Sequence, residues 1–172
     1  VTAAFIIALG YGLIAPLLPQ FVVSFDVSMA AAGLVVSIFA ASRLIFAPMS
    51  GSLVDRVGSR RVYLIGLMTV AVTTGLVSIA QSYWHIVALR ALAGIGSTMF
   101  TVSAMGLIVR MSPPTIRGKC SATYATAFLL GNVAGPVLGA SLSFLGFRWP
   151  FFIYGVGAVS YTHLTLPTIL LV

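Results

Sequence analysis

The chain has 172 residues, 60% of them hydrophobic and only 6% charged, with a mean hydropathy of +1.14. Soluble domains carry about 45–50% apolar and about 25% charged residues, so this composition excludes a soluble enzyme and points to an integral membrane protein. The net charge of +7 does not indicate nucleic acid, because most of the basic residues lie at the ends of apolar runs, where they orient spans in a bilayer.

At about 20 apolar residues per span, the length holds six spans joined by short loops and leaves no room for a sizeable soluble domain. The first span, Val1–Phe25, opens inside an apolar run without a Met, so the chain is read as a fragment whose start lies upstream. It carries Gly10, Gly12, Pro16 and Pro19, helix breakers that membranes tolerate where neighbouring helices satisfy the freed backbone groups. A bent helix is expected, either as a packing kink or as part of a cavity wall. Asp26–Met29 reads as a tight turn, with Asp26 or Ser28 capping the next helix.

The second span, Ala30–Leu53, contains Arg43, about 18 Å of helix before Asp55 at 1.5 Å per residue. An arginine at that depth costs roughly 2.5–3.5 kcal/mol on insertion scales. It is expected to face protein or a water-filled cavity, unless its side chain snorkels towards the Arg56 end. The run from Gly51 through Asp55, Arg56, Gly58, Arg60 and Arg61 is the densest knot of charge in the chain. It belongs in water between two antiparallel spans, with Gly51 allowing close helix approach and Gly58 a backbone turn.

The third span, Val62–Ala80, is uncharged and dotted with Gly66, Thr73, Thr74, Gly75 and Ser78, the pattern of a scaffold helix. After a turn at Gln81–Tyr83, Trp84 suits the interfacial aromatic belt. In the fourth span, Trp84–Val109, Arg90, Gly94, Ser97 and Thr101 fall on one helical face. This polar stripe calls for water or substrate; the structural alternative is an Arg90 bonded to the carbonyls of a neighbouring helix. Ser112-Pro113-Pro114 stops the helix, inside a loop carrying Arg110, Arg117 and Lys119. Alternate loops thus hold Arg56, Arg60, Arg61, Arg110, Arg117 and Lys119 against Arg148 alone. That asymmetry places loops 54–61 and 110–119 in the cytoplasm.

The fifth span, Cys120–Phe144, repeats glycine at 131, 135 and 139, a flat face for close helix contact, and Pro136 releases the carbonyl of Asn132. Gly146–Phe152 forms an aromatic and basic interfacial turn leading into a sixth span. From Ser160 to Thr168 that span loses both a continuous apolar run and an amphipathic period. Residues 1–159 are therefore read as the bundle and 160–172 as a non-native tail of the kind left by a library or vector junction. The alternative is a sixth helix broken at Pro167. The lone Cys120 excludes an internal disulfide, and His85 and His163 have no partner at ligand spacing. No metal, cofactor or catalytic constellation is expected, and the chain is not read as an enzyme.

Three of these stretches carry a resemblance to the major facilitator superfamily over about residues 1–159. Gly51, Asp55, Arg56, Gly58, Arg60 and Arg61 resemble its signature loop between the second and third helices, with Ser59 where a basic residue is usual. Arg90, Gly94 and Gly96 resemble its fourth-helix motif, with Ala93 in place of a frequent glutamine. Gly131, Gly135, Pro136 and Gly139 resemble the fifth-helix motif of its antiporters, with Ala140 in place of a usual final glycine.

The resemblance implies an all-α membrane protein, the six-transmembrane-helix N-terminal half of this fold with its sixth helix truncated. Its partners would be the lipid bilayer, a small-molecule substrate and the missing C-terminal half. By the same resemblance the halves rock about a central site, and the Asp55 loop latches the second helix against a helix of the other half. A carboxylate near a helix N-terminus gains typically 0.3–1 kcal/mol. The fourth-helix arginine is linked to proton transfer in antiporters, and the fifth-helix motif implies efflux of a small molecule against proton entry, as in the drug/proton antiporter branch, with the proton gradient as energy source. Arg43 joins Arg90, Gly94, Ser97 and Thr101 as a coupling or substrate cavity. With two buried arginines and no buried acid, a lipophilic neutral or anionic substrate fits better than a multiply charged cation. Competing readings are a metabolite uptake symporter and a six-helix membrane subunit that transports nothing.

Overall fold

The computed structural model describes residues 2–171, with side chains to Leu164. Six helices follow one another: α1 Thr2–Val23, α2 Met29–Val57, α3 Ser59–Val77, α4 Tyr83–Met111, α5 Arg117–Leu142 and α6 Trp149–Leu171, with a 3-10 turn at Ser143–Leu145 before α6. Five of them are long and apolar enough to cross a membrane. Serine caps start two helices, Ser28 as predicted and Ser82 from within the predicted turn. Ser28 Oγ accepts from the Ala31 amide and Ser82 Oγ from the His85 amide, satisfying amides that a helix N-terminus leaves without partners. Asp26 instead takes a left-handed turn conformation, φ 57°. Pro16 and Pro19 lie within an unbroken α1.

The main partners along the chain are crossed. Helix α1 packs on α5 and α2 on α4, while α3 packs on both α4 and α6. The helix-to-helix seams are built on glycine, because only a missing Cβ lets backbones approach this closely. A Cβ on Gly135 would lie 2.5 Å from the Gly12 backbone, and one on Gly66 would lie 2.7 Å from the Gly96 carbonyl. A Cβ on Gly155 would lie 2.5 Å from Gly75 Cα. The predicted flat face of the fifth helix is therefore real, and its partner is α1: Gly131 sits against Phe5 and Ala8, Gly139 against Leu13. The Asn132 carbonyl, freed by Pro136, faces Gly12.

Two sequence expectations are corrected. Helix α2 runs four residues past Leu53, so Asp55 and Arg56 stand in its last turn and the turn contracts to Gly58, at φ 96°. The two flanking helices then diverge, α2 seating on α4 rather than on α3, and Gly51 meets nothing within 4 Å. The physical reason is the sharpness of a one-residue turn, which leaves no length for the two helices to lie side by side. The sixth helix, expected to fail near Ser160, continues to Leu171. Thr162 is buried, and Tyr161 packs beside Ile7, Leu67 and Phe100. A helix whose apolar residues face the bundle on one side needs no continuous apolar run.

At the outer end, Arg148 Nη1 donates to the Ser78 carbonyl at 3.0 Å and its guanidinium lies 5.5 Å from the Phe21 ring. This joins the α6 lead-in to the end of α3 and to α1. Only 17% of the most apolar stretch of α2, and of α5, is buried, against 56% for α1. Leu44, Ile45 and Met49 on α2, and Leu129, Val133 and Val137 on α5, are exposed accordingly. Such faces belong against lipid or further protein.

Candidate functional site

Four helices, α1, α2, α4 and α5, bring a polar cluster into the bundle. At its centre stands Phe39 of α2. The Arg90 guanidinium carbon lies 4.3 Å from its ring centroid and that of Arg43 lies 5.9 Å away. Tyr11 of α1 meets the same ring edge-on at 5.4 Å. Aromatic faces attract cations, more strongly when both are out of water, so one ring holds two arginines within the membrane. Tyr11 also touches Phe128, which stacks on Tyr124 of α5 at 6.4 Å.

Arg43 is half-buried and turns towards Phe39, one helical turn nearer the outer end of α2. Snorkelling towards Arg56 is thereby excluded as its resting position, in keeping with the tilt of helical side chains towards the N-terminus. Arg90 is 6% exposed, about 10 Å of helix below the start of α4. Its Nε is buried without a hydrogen-bonding partner. Neither acidic residue approaches it, because Asp26 and Asp55 are exposed at opposite ends of the bundle. A buried charge with no counter-charge is strongly unfavourable unless water or a ligand meets it.

The predicted stripe on α4 divides. Gly94 is a packing residue: a Cβ there would lie 2.6 Å from the Phe39 carbonyl and 2.9 Å from Ser42. Arg90, Ser97 and Thr101 remain with the cluster. Ser97 is fully buried with an unpartnered hydroxyl, while Thr101 Oγ1 donates to the Ser97 carbonyl at 2.9 Å. The Tyr11 hydroxyl neighbours Ser97 Oγ, and both are buried without a partner elsewhere among the described residues. Thr98, outside the stripe, donates to the carbonyls of Arg43 at 3.3 Å and Gly94 at 3.1 Å, fastening α4 to α2.

Sequence reasoning missed Tyr11, Phe39 and Tyr124. Phe39 lies four residues before Arg43, the spacing at which helical side chains meet, and Tyr11 lies between Gly10 and Gly12; both signals were available. The signature residues lie at the cytoplasmic end, far from this cluster. Asp55 is exposed in the last turn of α2 and has no ion pair among the described residues. Arg60 and Arg61 occupy the first turn of α3.

The architecture is that of a polytopic membrane protein with a charged, hydroxyl-lined centre enclosed by apolar helices. The Major Facilitator Superfamily model matches residues 1–169, and the chain belongs to that family. It is similar to the quinolone resistance protein NorA of Staphylococcus aureus, 28% identical over 151 residues, which are 88% of this chain and 39% of that protein. It is also similar to multidrug resistance protein 3 of Bacillus subtilis (strain 168), 35% identical over 115 residues, 66% of this chain and 22% of that protein. The matched stretch thus spans less than half the length of these curated relatives. The protein is a multi-pass component of the cell membrane, as its apolar helices and family require.

Proposed function

We propose that this chain is the N-terminal part of a secondary active transporter that exports a lipophilic, neutral or anionic small molecule by alternating access, in exchange for protons. The observation that carries this reading is Arg90, buried and without a counter-charge among the described residues, in one cluster with the buried hydroxyls of Tyr11 and Ser97. A site that holds a positive charge in readiness discriminates against cations and accepts a substrate's acceptor atoms or a negative charge. The family membership and the relatives' names, quinolone resistance and multidrug resistance, support export of a small molecule.

Asp26 and Asp55 are the only carboxylates and neither is embedded, so the proton carrier is assigned to a segment beyond this chain. Asp55, in the last turn of α2, is disfavoured by its own helix dipole, and a contact with a helix N-terminus of the second half would relieve it. That contact is the proposed latch, with Gly51, Arg56, Gly58, Arg60 and Arg61 around it.

The test is a proton-flux assay on the full-length protein in inside-out vesicles. Substrate addition should release protons from an acidified lumen. Arg90→Ala should abolish that release while the protein keeps its expression level and monodispersity, and Arg90→Lys should retain part of it. An Arg90→Ala variant with unchanged coupled flux would refute the role given to Arg90. Proton flux of the opposite sign would identify an uptake symporter, and no flux in any vesicle would favour a non-transporting subunit.

A further inference from the structure

A cavity lies apart from the Arg90 cluster, at the cytoplasmic end. It occupies about 590 Å³ between the first turns of α1, α3 and α5 and the last turns of α4. It exists because α4 and α5 make little contact with each other, α5 being drawn to α1 and α4 to α2 and α3. The Tyr124 ring, packed on Ala4 and Ala104, bounds it on the side of the Arg90 cluster. Leu107, Ile108 and Ile116 form apolar walls, and Arg60 and Lys119 are the charged residues that line it. No carboxylate lines it.

The position of the two cations is informative. Arg60 stands in the first turn of α3 and Lys119 in the first turn of α5. Helix N-termini carry partial positive charge, so both cations stand where their own helices disfavour them. Two helix ends and two cations therefore converge on one cleft that contains no anion of the protein. The rest of the cleft is apolar, and by the charge asymmetry of the loops it opens at the cytoplasmic surface of the bilayer. An anionic head on an apolar tail matches both parts. Basic pockets between membrane helices on the cytoplasmic side suit anionic lipid headgroups.

We infer that this cleft binds an anionic phospholipid of the cytoplasmic leaflet, its phosphate between Arg60 and Lys119 and an acyl chain along Leu107 and Ile108. The inference does not depend on the direction or substrate of transport. Cys120 lines the same cleft and is partly exposed, so it reports occupancy directly.

The experiment measures maleimide labelling of Cys120, read by peptide mass spectrometry, in the full-length protein carrying Thr115→Cys as an internal reference. Thr115 is exposed on the same side and outside the cleft, so the ratio of the two rates cancels effects of surface charge and surface pH. The protein is placed in nanodiscs of phosphatidylcholine alone, or of phosphatidylcholine with phosphatidylglycerol. With the anionic lipid at about four times its Kd, mass action leaves about a fifth of the sites open, so the ratio should fall about fivefold. Arg60→Gln combined with Lys119→Gln should restore it.

An unchanged ratio between the two lipid compositions overturns the inference. So does an equal fall on adding soluble glycerol phosphate to phosphatidylcholine discs, which would make the site one for free anions. A Cys120 unreactive in both lipids would mean that another part of the protein covers the cleft, again overturning it. The lipid comparison on the chain with native Arg60 and Lys119 decides the matter even if the double variant does not fold.

Discussion

Replacing Gly135 by alanine tests the crossed packing of the bundle. The new methyl carbon would lie 2.5 Å from Cα and C of Gly12 and from N of Leu13, all backbone atoms that cannot rotate aside. Ordinary contact requires α1 to retreat by about 1 Å, and a close-packed interior transmits such a shift rather than absorbing it. Gly131 and Gly139 face the same helix, so the retreat also opens gaps at Phe5 and Leu13. Overpacking of this kind costs typically 1–3 kcal/mol, offset by about 0.8–1 kcal/mol from the better helix propensity of alanine. The expected net loss is about 0–2 kcal/mol, read as a fall in Tm of about 2–4 °C per kcal/mol for a domain of this size. The measurement is thermal unfolding of the purified full-length protein in detergent. Gly33→Ala is the control, because nothing lies within 4 Å of a Cβ there; it should leave Tm unchanged or slightly raised. Equal Tm values for the two variants would show that α1 and α5 do not meet as described.

Asp55→Asn should lower transport severalfold while expression and Tm stay as they were, because Asp55 has no ion pair among the described residues; unimpaired transport would remove the latch. Phe39→Leu should take away the aromatic face shared by Arg43 and Arg90, worth about 0.5–2 kcal/mol, and should lower Tm accordingly; an unaltered Tm would mean that the stacking contributes nothing. Arg148→Gln removes a charged donor from the Ser78 carbonyl, where such bonds contribute about 1.5–3 kcal/mol, so its Tm should fall more than that of Arg117→Gln, whose bond to the Ser112 carbonyl is exposed.

Much of this was legible in the sequence. Composition set the class, helix breakers and basic residues set the boundaries to within a few residues, and the Gly131, Gly135, Gly139 period announced a contact face. Which helix that face would meet was not legible, since a glycine stripe specifies closeness but not a partner. Arg43 and Arg90 could be placed at depth by counting, yet their meeting on one ring depends on the crossing of α2 and α4. Gly94 was misassigned because a shared helical face contains both the residues that line a centre and those that pack beside it. The extent of α6 was missed because residues 160–168 have neither a continuous apolar run nor an amphipathic period, and the packing of Tyr161 beside Ile7, Leu67 and Phe100 is a tertiary contact that no local pattern announces.

The crossed pairing also bears on how the protein is made. Helix α1 is made before α2, α3 and α4, yet the helix that fills its glycine groove, α5, follows all three. Until then Gly12 and its neighbours face lipid, and α2 likewise waits for α4. The packing between α1 and α5 therefore cannot form helix by helix; it closes only when α5 arrives. Insertion machinery must hold the early helices apart without letting them pair wrongly, and a synthesis pause between α4 and α5 would be the step most exposed to quality control.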